Sequence, residues 1–388
     1  ASAALSLEGS EWPLAGPATE EVRSSAFLVS GIAVASVISW HPFSGIVFVI
    51  VLNLCAIALL YHLCAKLFGI QVAAIATLLY ASSPWGILYS RLLVSSSCLS
   101  VFGVGLVFLS LRWLEERGKT QLAMVVLLGF IMPQIHFSGI CGSLWLVGVL
   151  LIGRKNISYR SLVTGGVLGV AVWAPWIEFQ RVNGWVELHD WVGQIIQTPK
   201  AHGYAFLQSV NHLLCMLHSS HGDYWFGPEA LDTISLWQRL CAGASAFLLS
   251  AILLASTICA ARSADRRLHL LVAWIGLPLF CGTVLRTGLS PENLLVAYPV
   301  PFVLIAVMVV RLQEWLPARI RFAPSAAVFA IAVLNIIVLA RWAQFVEDGR
   351  ATIGGKYELS YRQRRETVLS ILEDSGTGSP QIVGSFFE

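Results

Sequence analysis

The sequence predicts an all-α polytopic membrane protein with about ten transmembrane helices. Three observations carry that reading. Of 388 residues, 56% are hydrophobic and only 12% charged, with a mean hydropathy of +0.73; a soluble chain carries about twice that charge. Apolar runs of 18 or more residues recur along the chain, each long enough for a helix to cross the hydrocarbon core. Basic residues cluster in alternate connections between those runs, as in a polytopic protein. The short alternating strands of a membrane barrel are absent from the sequence pattern, and a net charge of +3 makes no case for nucleic acid.

Taken in order, residues 1–25 form a polar N-terminal segment holding Glu8, Glu11, Glu20 and Glu21. Residues 26–40, which end at Trp40-His41-Pro42, are apolar but short, and read as an interfacial or half-inserted helix. An N-terminal membrane bundle (26–180) then holds spans near 43–65, 70–88, 92–113, 120–133, 137–153 and 161–178, with Pro133 dividing two of them. Segment 181–236 is polar, contains five histidines and suits short amphipathic helices lying on the membrane. A C-terminal bundle (237–345) holds spans near 238–260, 268–285, 293–310 and 322–342. In the tail, 346–388, Leu359, Val368, Leu369 and Leu372 mark a short amphipathic helix.

Charge orients these spans. The connections holding Lys66; Arg112, Arg117 and Lys119; Arg154, Lys155 and Arg160; Arg262, Arg266 and Arg267; and Arg311, Arg319 and Arg321 carry 13 of the 25 basic residues. They hold only Glu115, Glu116, Asp265 and Glu314 among the acidic ones. That side is predicted to be cytoplasmic, which puts both visible ends and segment 181–236 on the external face. Trp85, Trp113, Trp173, Trp176, Trp237, Trp315 and Trp342 fall near span ends, where an interfacial belt is expected. The eight cysteines include no C-x-x-C and lie mostly in or beside apolar runs, so they read as small core residues.

Several stretches, in this order, resemble the GT-C membrane glycosyltransferases, and among them the bacterial relatives of glycosyltransferase family 39. They are EWPLAGP (Glu11–Pro17), the paired helices of Leu52–Arg91 with their Phe-Gly turn and Ser-Pro, PQIHFSG (Pro133–Gly139), ENLLVAYPVPFVLIA (Glu292–Ala306) and GGKYELSYRQRRETVLSIL (Gly354–Leu372). That group includes protein O-mannosyltransferases and lipid A aminoarabinose transferases. The resemblance implies transfer of a sugar from a polyprenyl-phosphate donor to an acceptor at the outer face of the bacterial plasma membrane, with inversion. The family's acidic pair and first span have no counterpart here, so the chain reads as a fragment lacking them or as a protein that has lost the catalytic acid.

On that resemblance Arg91, which follows the Ser-Pro break at the outer edge, is the first candidate for binding the donor phosphate. A snorkelling interfacial arginine is the plain alternative. Arg286 is the second cation, unless it merely pairs with Glu292. Tyr89, Gln134, His136 and Glu292 are expected to line the cavity, although Gln134 and His136 also suit an intramembrane hydrogen-bond pair. Tyr298 reads as structural. The catalytic base is expected upstream of Ala1; Glu20 and Glu21 are weak substitutes among the residues present. His218, His221 and Asp223 are ligand types at metal-like spacing, but nothing fixes a third or fourth ligand; no metal is assigned, a divalent metal being left open without support, and the lipid-linked sugar is expected as donor substrate. The expected partners are membrane lipid and that lipid-linked sugar. The rival reading is a non-catalytic GT-C-derived subunit of a larger membrane complex, favoured by the missing acidic pair and by Asn293 where relatives carry tyrosine. A transporter is weaker, because the polar residues gather at one edge instead of the midplane.

Overall fold

A computed structural model describes residues 15–19, 22–25, 34, 43–186, 188–189, 193, 204–219, 226, 228–284 and 290–348. Apart from an antiparallel hairpin, β1 (Ala15–Thr19) and β2 (Val22–Ser25), the described residues are helices and their connections. The hairpin was not anticipated; β1 packs against α7 and β2 against α5, helices α5 (Lys119–Ile135) and α7 (Tyr159–Val182) being the closest-packed pair of the bundle.

Among the described residues ten helices occupy the ten predicted spans: α1 (Phe43–Phe68), α2 (Ile70–Ser82), α4 (Leu99–Glu116), α5, α6 (Ile140–Ile152), α7, α9 (Leu236–Arg262), α10 (Arg266–Val284), α12 (Val300–Trp315) and α13 (Ala323–Glu347). Among the described residues six are long and apolar enough to cross a membrane, namely α1, α4 with its preceding turn, α7, α9, α10 and α13. Of the others, α5 is a single short helix, whereas α2, α6 and α12 are shortened because the chain breaks inside the predicted spans. The expected 70–88 helix stops at Ser83, which is extended (φ −67°, ψ 126°) because Pro84 follows. A second short helix, α3 (Pro84–Tyr89), then resumes. The expected 92–113 helix begins only at Leu99, after a 3-10 turn at Ser95–Cys98. The expected 293–310 helix is a stub, α11 (Pro291–Leu294), a turn, and then α12 behind Pro299. Past the expected 322–342 span, α13 continues into the predicted tail as far as Glu347.

Local chemistry explains the close packing. Gly69 turns α1 into α2 at φ +92°, a conformation that favours glycine. On α7, Gly165 and Gly169 meet α5 so closely that an added Cβ would lie 2.5 Å from the Ala123 carbonyl and 2.6 Å from Phe130. Ser161, Gly165, Gly169 and Trp173 recur every fourth residue on that face, the small-residue stripe by which membrane helices approach. Trp173 ends the stripe by donating to the Phe130 carbonyl at 2.9 Å.

The bundle has two distinct ends. At one, which we term the basic end, Arg267 at the start of α10 pairs with Glu115 at the end of α4 and donates to the Leu67 carbonyl at the end of α1. Arg311 lines a narrow crevice there with Cys259 and Leu268. Of the tryptophans expected in an interfacial belt, Trp237 and Trp315 are exposed, but Trp85, Trp113 and Trp342 are at most 3% exposed and belong to the core. The reason is packing: Trp113 fills the space where a Cβ on Gly153 would otherwise sit.

Candidate functional site

The opposite end is where the helices break. The stub α11 packs against both the 3-10 turn at Ser95–Cys98 and a second 3-10 turn at Phe137–Gly139, and a helix from segment 181–236, α8 (Ala205–Cys215), lies against α10 and α11. Gln134 stands on α5, which packs against both 3-10 turns, His136 precedes the second turn and Glu292 lies on α11, whereas Arg91 lies in the connection before the first turn.

Backbone broken in a membrane bundle needs internal partners for its polar groups, and here they are specific. Pro133 cannot donate to the Gly129 carbonyl four residues back; Ser143 of α6 does so at 2.7 Å. Pro299 likewise cannot donate to the Leu295 carbonyl, which accepts long contacts of 3.4 Å from the Tyr298 amide and from Ser100 of α4. Asn53 of α1 holds the first 3-10 turn, donating to the Ser97 carbonyl at 3.1 Å and to the Val49 carbonyl at 3.0 Å. At the centre the Tyr298 hydroxyl contacts Ser83 and donates to the Met216 carbonyl at 2.7 Å, while Ser83 reaches the same carbonyl at 3.3 Å. This knot joins the Ser-Pro break, the Tyr-Pro break and the end of α8. Tyr80 and Phe302 enclose it, with ring centroids 5.7 and 5.4 Å from that of Tyr298.

The predicted site residues take different places around the knot. Tyr89 is buried at the end of α3 and stacks on Trp85, centroids 6.1 Å apart. Arg91, two residues on, is exposed, and no described residue forms an ion pair or hydrogen bond with its guanidinium. Gln134 is buried in the last turn of α5. His136 follows it in extended backbone, and its Nδ1 accepts from the Ser138 amide at 3.2 Å and lies 2.9 Å from the Ser138 hydroxyl. Enclosure of the ring lowers its pKa to about 4. With Nδ1 accepting, the neutral ring carries its proton on Nε2. Glu292 is half-buried on α11. His218 is buried three residues beyond α8. Glu20, Glu21, Arg286, His221 and Asp223 lie outside the described residues, as do segment 26–40 except Val34 and the tail beyond Asp348. Among the described residues no group of three or more His, Cys, Asp or Glu is placed to hold a metal.

Sequence reasoning missed Ser83, Asn53 and Ser100 as the groups that hold this end together. A signal existed for Asn53, a lone amide in the apolar run of α1. For Ser83 and Ser100 the partners are distant in sequence and no local pattern marks them.

The architecture resembles that of two solved structures. ArnT from Cupriavidus metallidurans in the apo state superposes with a TM-score of 0.56 at 13% identity, covering 88% of this chain and 68% of that one. The structure of ArnT from the same organism bound to undecaprenyl phosphate gives 0.55 at 12% identity, covering 98% and 80%. No protein-family profile and no curated sequence matches the chain. The chain thus shares the fold of ArnT, an all-helical bundle in which six of the described helices are long and apolar enough to cross a membrane.

Proposed function

We propose that the chain is a GT-C membrane glycosyltransferase that takes a sugar from a polyprenyl-phosphate carrier and passes it to an acceptor at the outer face of the bacterial plasma membrane. The observation that carries the reading is the shared fold, in which one matched structure is an ArnT bound to undecaprenyl phosphate. A phosphate leaving group needs a cation, and Arg91 is exposed with no described protein partner. Arg286 is the second cation by sequence position. Tyr89, Gln134, His136 and Glu292 are assigned to the lining of the cavity, and the Nε2–H of His136 is a donor suited to an anionic oxygen. The acceptor hydroxyl needs a carboxylate base, for which Glu20 and Glu21 are the candidates among the residues present. Basic connections at the other end support the orientation with the broken end outside.

Undecaprenyl phosphate titrated against the purified protein, read by native mass spectrometry, tests the site. Binding that weakens about 10- to 100-fold in Arg91→Ala is expected, the equivalent of losing one charged hydrogen bond of about 1.5–3 kcal/mol. Wild-type protein that binds no undecaprenyl phosphate overturns the reading. Binding without transfer from any polyprenyl-phosphate sugar moves the balance to the non-catalytic subunit.

A further inference from the structure

Helices α9, α10 and α12 pack against one another pairwise, and the crevice at the basic end runs along their seam. It is lined by Cys259 of α9, Leu268 of α10 and Leu304, Val307, Met308 and Arg311 of α12. The four α12 positions are spaced by three, one and three residues, which keeps them on one helix face. An apolar stripe of α12 therefore faces the seam and ends in an arginine. Because α12 runs towards the basic end, Arg311 stands at the mouth of the crevice on that side. Trp315, one turn further on, is 71% exposed, as suits a residue at headgroup level. Arg311 is half-buried, and no described residue forms an ion pair or hydrogen bond with its guanidinium, Glu314 included. Arg262 at the end of α9 and Arg266 at the start of α10 are exposed and equally without a described partner. Nearby carboxylates are engaged elsewhere: Glu115 pairs with Arg267, and Asp265 accepts from the Arg267 amide at 2.9 Å.

We propose that this crevice seats one anionic phospholipid from the leaflet at the basic end. Its headgroup phosphate lies on Arg311, and part of one acyl chain lies along Leu304, Val307 and Met308. The forked guanidinium suits two phosphate oxygens at once, and Arg262 and Arg266 add positive field at the ends of the other two helices. The crevice is narrow and leaves about 200 Å³ free of protein atoms, which suits a segment of one chain and not an enclosed lipid. Basic clefts between membrane helices take anionic headgroups in this way. A zwitterionic lipid offers the same phosphate but brings its own cation towards the arginines, so the site discriminates by net charge. This inference stands apart from the transferase reading, because the crevice is at the end of the bundle opposite Arg91.

Full-length protein in mild detergent, titrated with phosphatidylglycerol or phosphatidylcholine and read by native mass spectrometry, decides it. The expected result is one phosphatidylglycerol per chain, held about 10-fold more tightly than phosphatidylcholine. Arg311→Gln should remove that preference, and Arg311→Lys should fall between, since an ammonium keeps the charge without the fork. Arg154→Gln removes an exposed arginine of the same end that does not line the crevice, and should leave binding unchanged. A phosphatidylglycerol with a photoreactive acyl chain, applied to the unaltered protein, should label the peptides holding Cys259 and Met308, a readout that needs no variant to fold. Equal affinity for the two lipids overturns the proposal. So does a loss in Arg154→Gln as large as in Arg311→Gln, or a photolabel confined to helices other than α9, α10 and α12.

Discussion

Helices α1, α4 and α10 meet at the basic end through Arg267, which pairs with Glu115 and donates to the Leu67 carbonyl at 2.6 Å. At the broken end α2, α8 and α12 meet through Tyr298, which contacts Ser83 and donates to the Met216 carbonyl at 2.7 Å. The first junction uses full charges, but both side chains keep more than a third of their surface in solvent, where water and salt weaken the attraction. The second uses neutral groups that are fully buried, where each lost partner strands a polar atom with no water to replace it. Charge is therefore the more visible feature in the sequence and the lesser one in the structure. The end that carries the proposed chemistry is held by weakly polar groups compensating for interrupted helices.

The sharpest test of that contrast lies where backbone meets backbone. Gly103 of α4 lies against the turn between α11 and α12, and a Cβ there would fall 2.1 Å from the Val296 carbonyl oxygen. Since the obstacle is main chain, no side-chain rotation relieves it. Gly103→Val should cost about 3 kcal/mol or more, seen as a lowered thermal midpoint in detergent or as failure to accumulate. Gly148→Val on α6, where nothing lies within 4 Å of the added Cβ, is the matched control and should change the midpoint little. Equal effects at the two glycines would remove the case for tight closure at the broken end.

Tyr298→Phe comes next. The ring keeps its packing on Tyr80 and Phe302, and only the hydroxyl is lost. The Met216 carbonyl retains Ser83 at 3.3 Å, so the expected cost is about 1–3 kcal/mol. Ser83→Ala alone should cost less, and the double variant less than the sum, because both hydroxyls serve one carbonyl. Additive losses in thermal midpoint would show that the two groups act separately and that the knot is not a unit.

Much of the bundle was legible in the sequence, and its breaks were not. Hydropathy placed ten helices because apolar length is a local property. Alternating charge placed Leu67, Glu115 and Arg267 at a common end for the same reason. The Ser83-Pro84 break was visible as a dipeptide, but proline kinks as often as it stops a membrane helix, so the predicted span ran on to residue 88. Trp85, Trp113 and Trp342 looked like an interfacial belt because the sequence shows nearness to a span end and says nothing of which face meets a neighbour. His136 itself proved to be engaged, capping its 3-10 turn through Nδ1, a role that needs only Ser138 two residues away and could have been read from His-Phe-Ser.

The smallest expected effect lies at the basic end and completes the comparison. A double-mutant cycle on Glu115→Ala and Arg267→Ala isolates their coupling from everything else each side chain touches. Two side chains left 37% and 36% accessible should couple by about 0.5–1 kcal/mol, and the value should shrink as salt is raised from low to physiological strength. Arg267→Ala alone should cost more than Glu115→Ala, since it also removes the donor to the Leu67 carbonyl. Arg267→Lys should recover part of the charge term but little of that second bond, because an ammonium lacks the forked donors that serve two acceptors at once. The cycle is measured by thermal midpoint in detergent at two salt concentrations. A coupling above that of the Tyr298–Ser83 pair, insensitive to salt, would mean that the membrane surface shields this ion pair as fully as the protein interior shields the hydroxyls, and the ranking of the two ends would reverse.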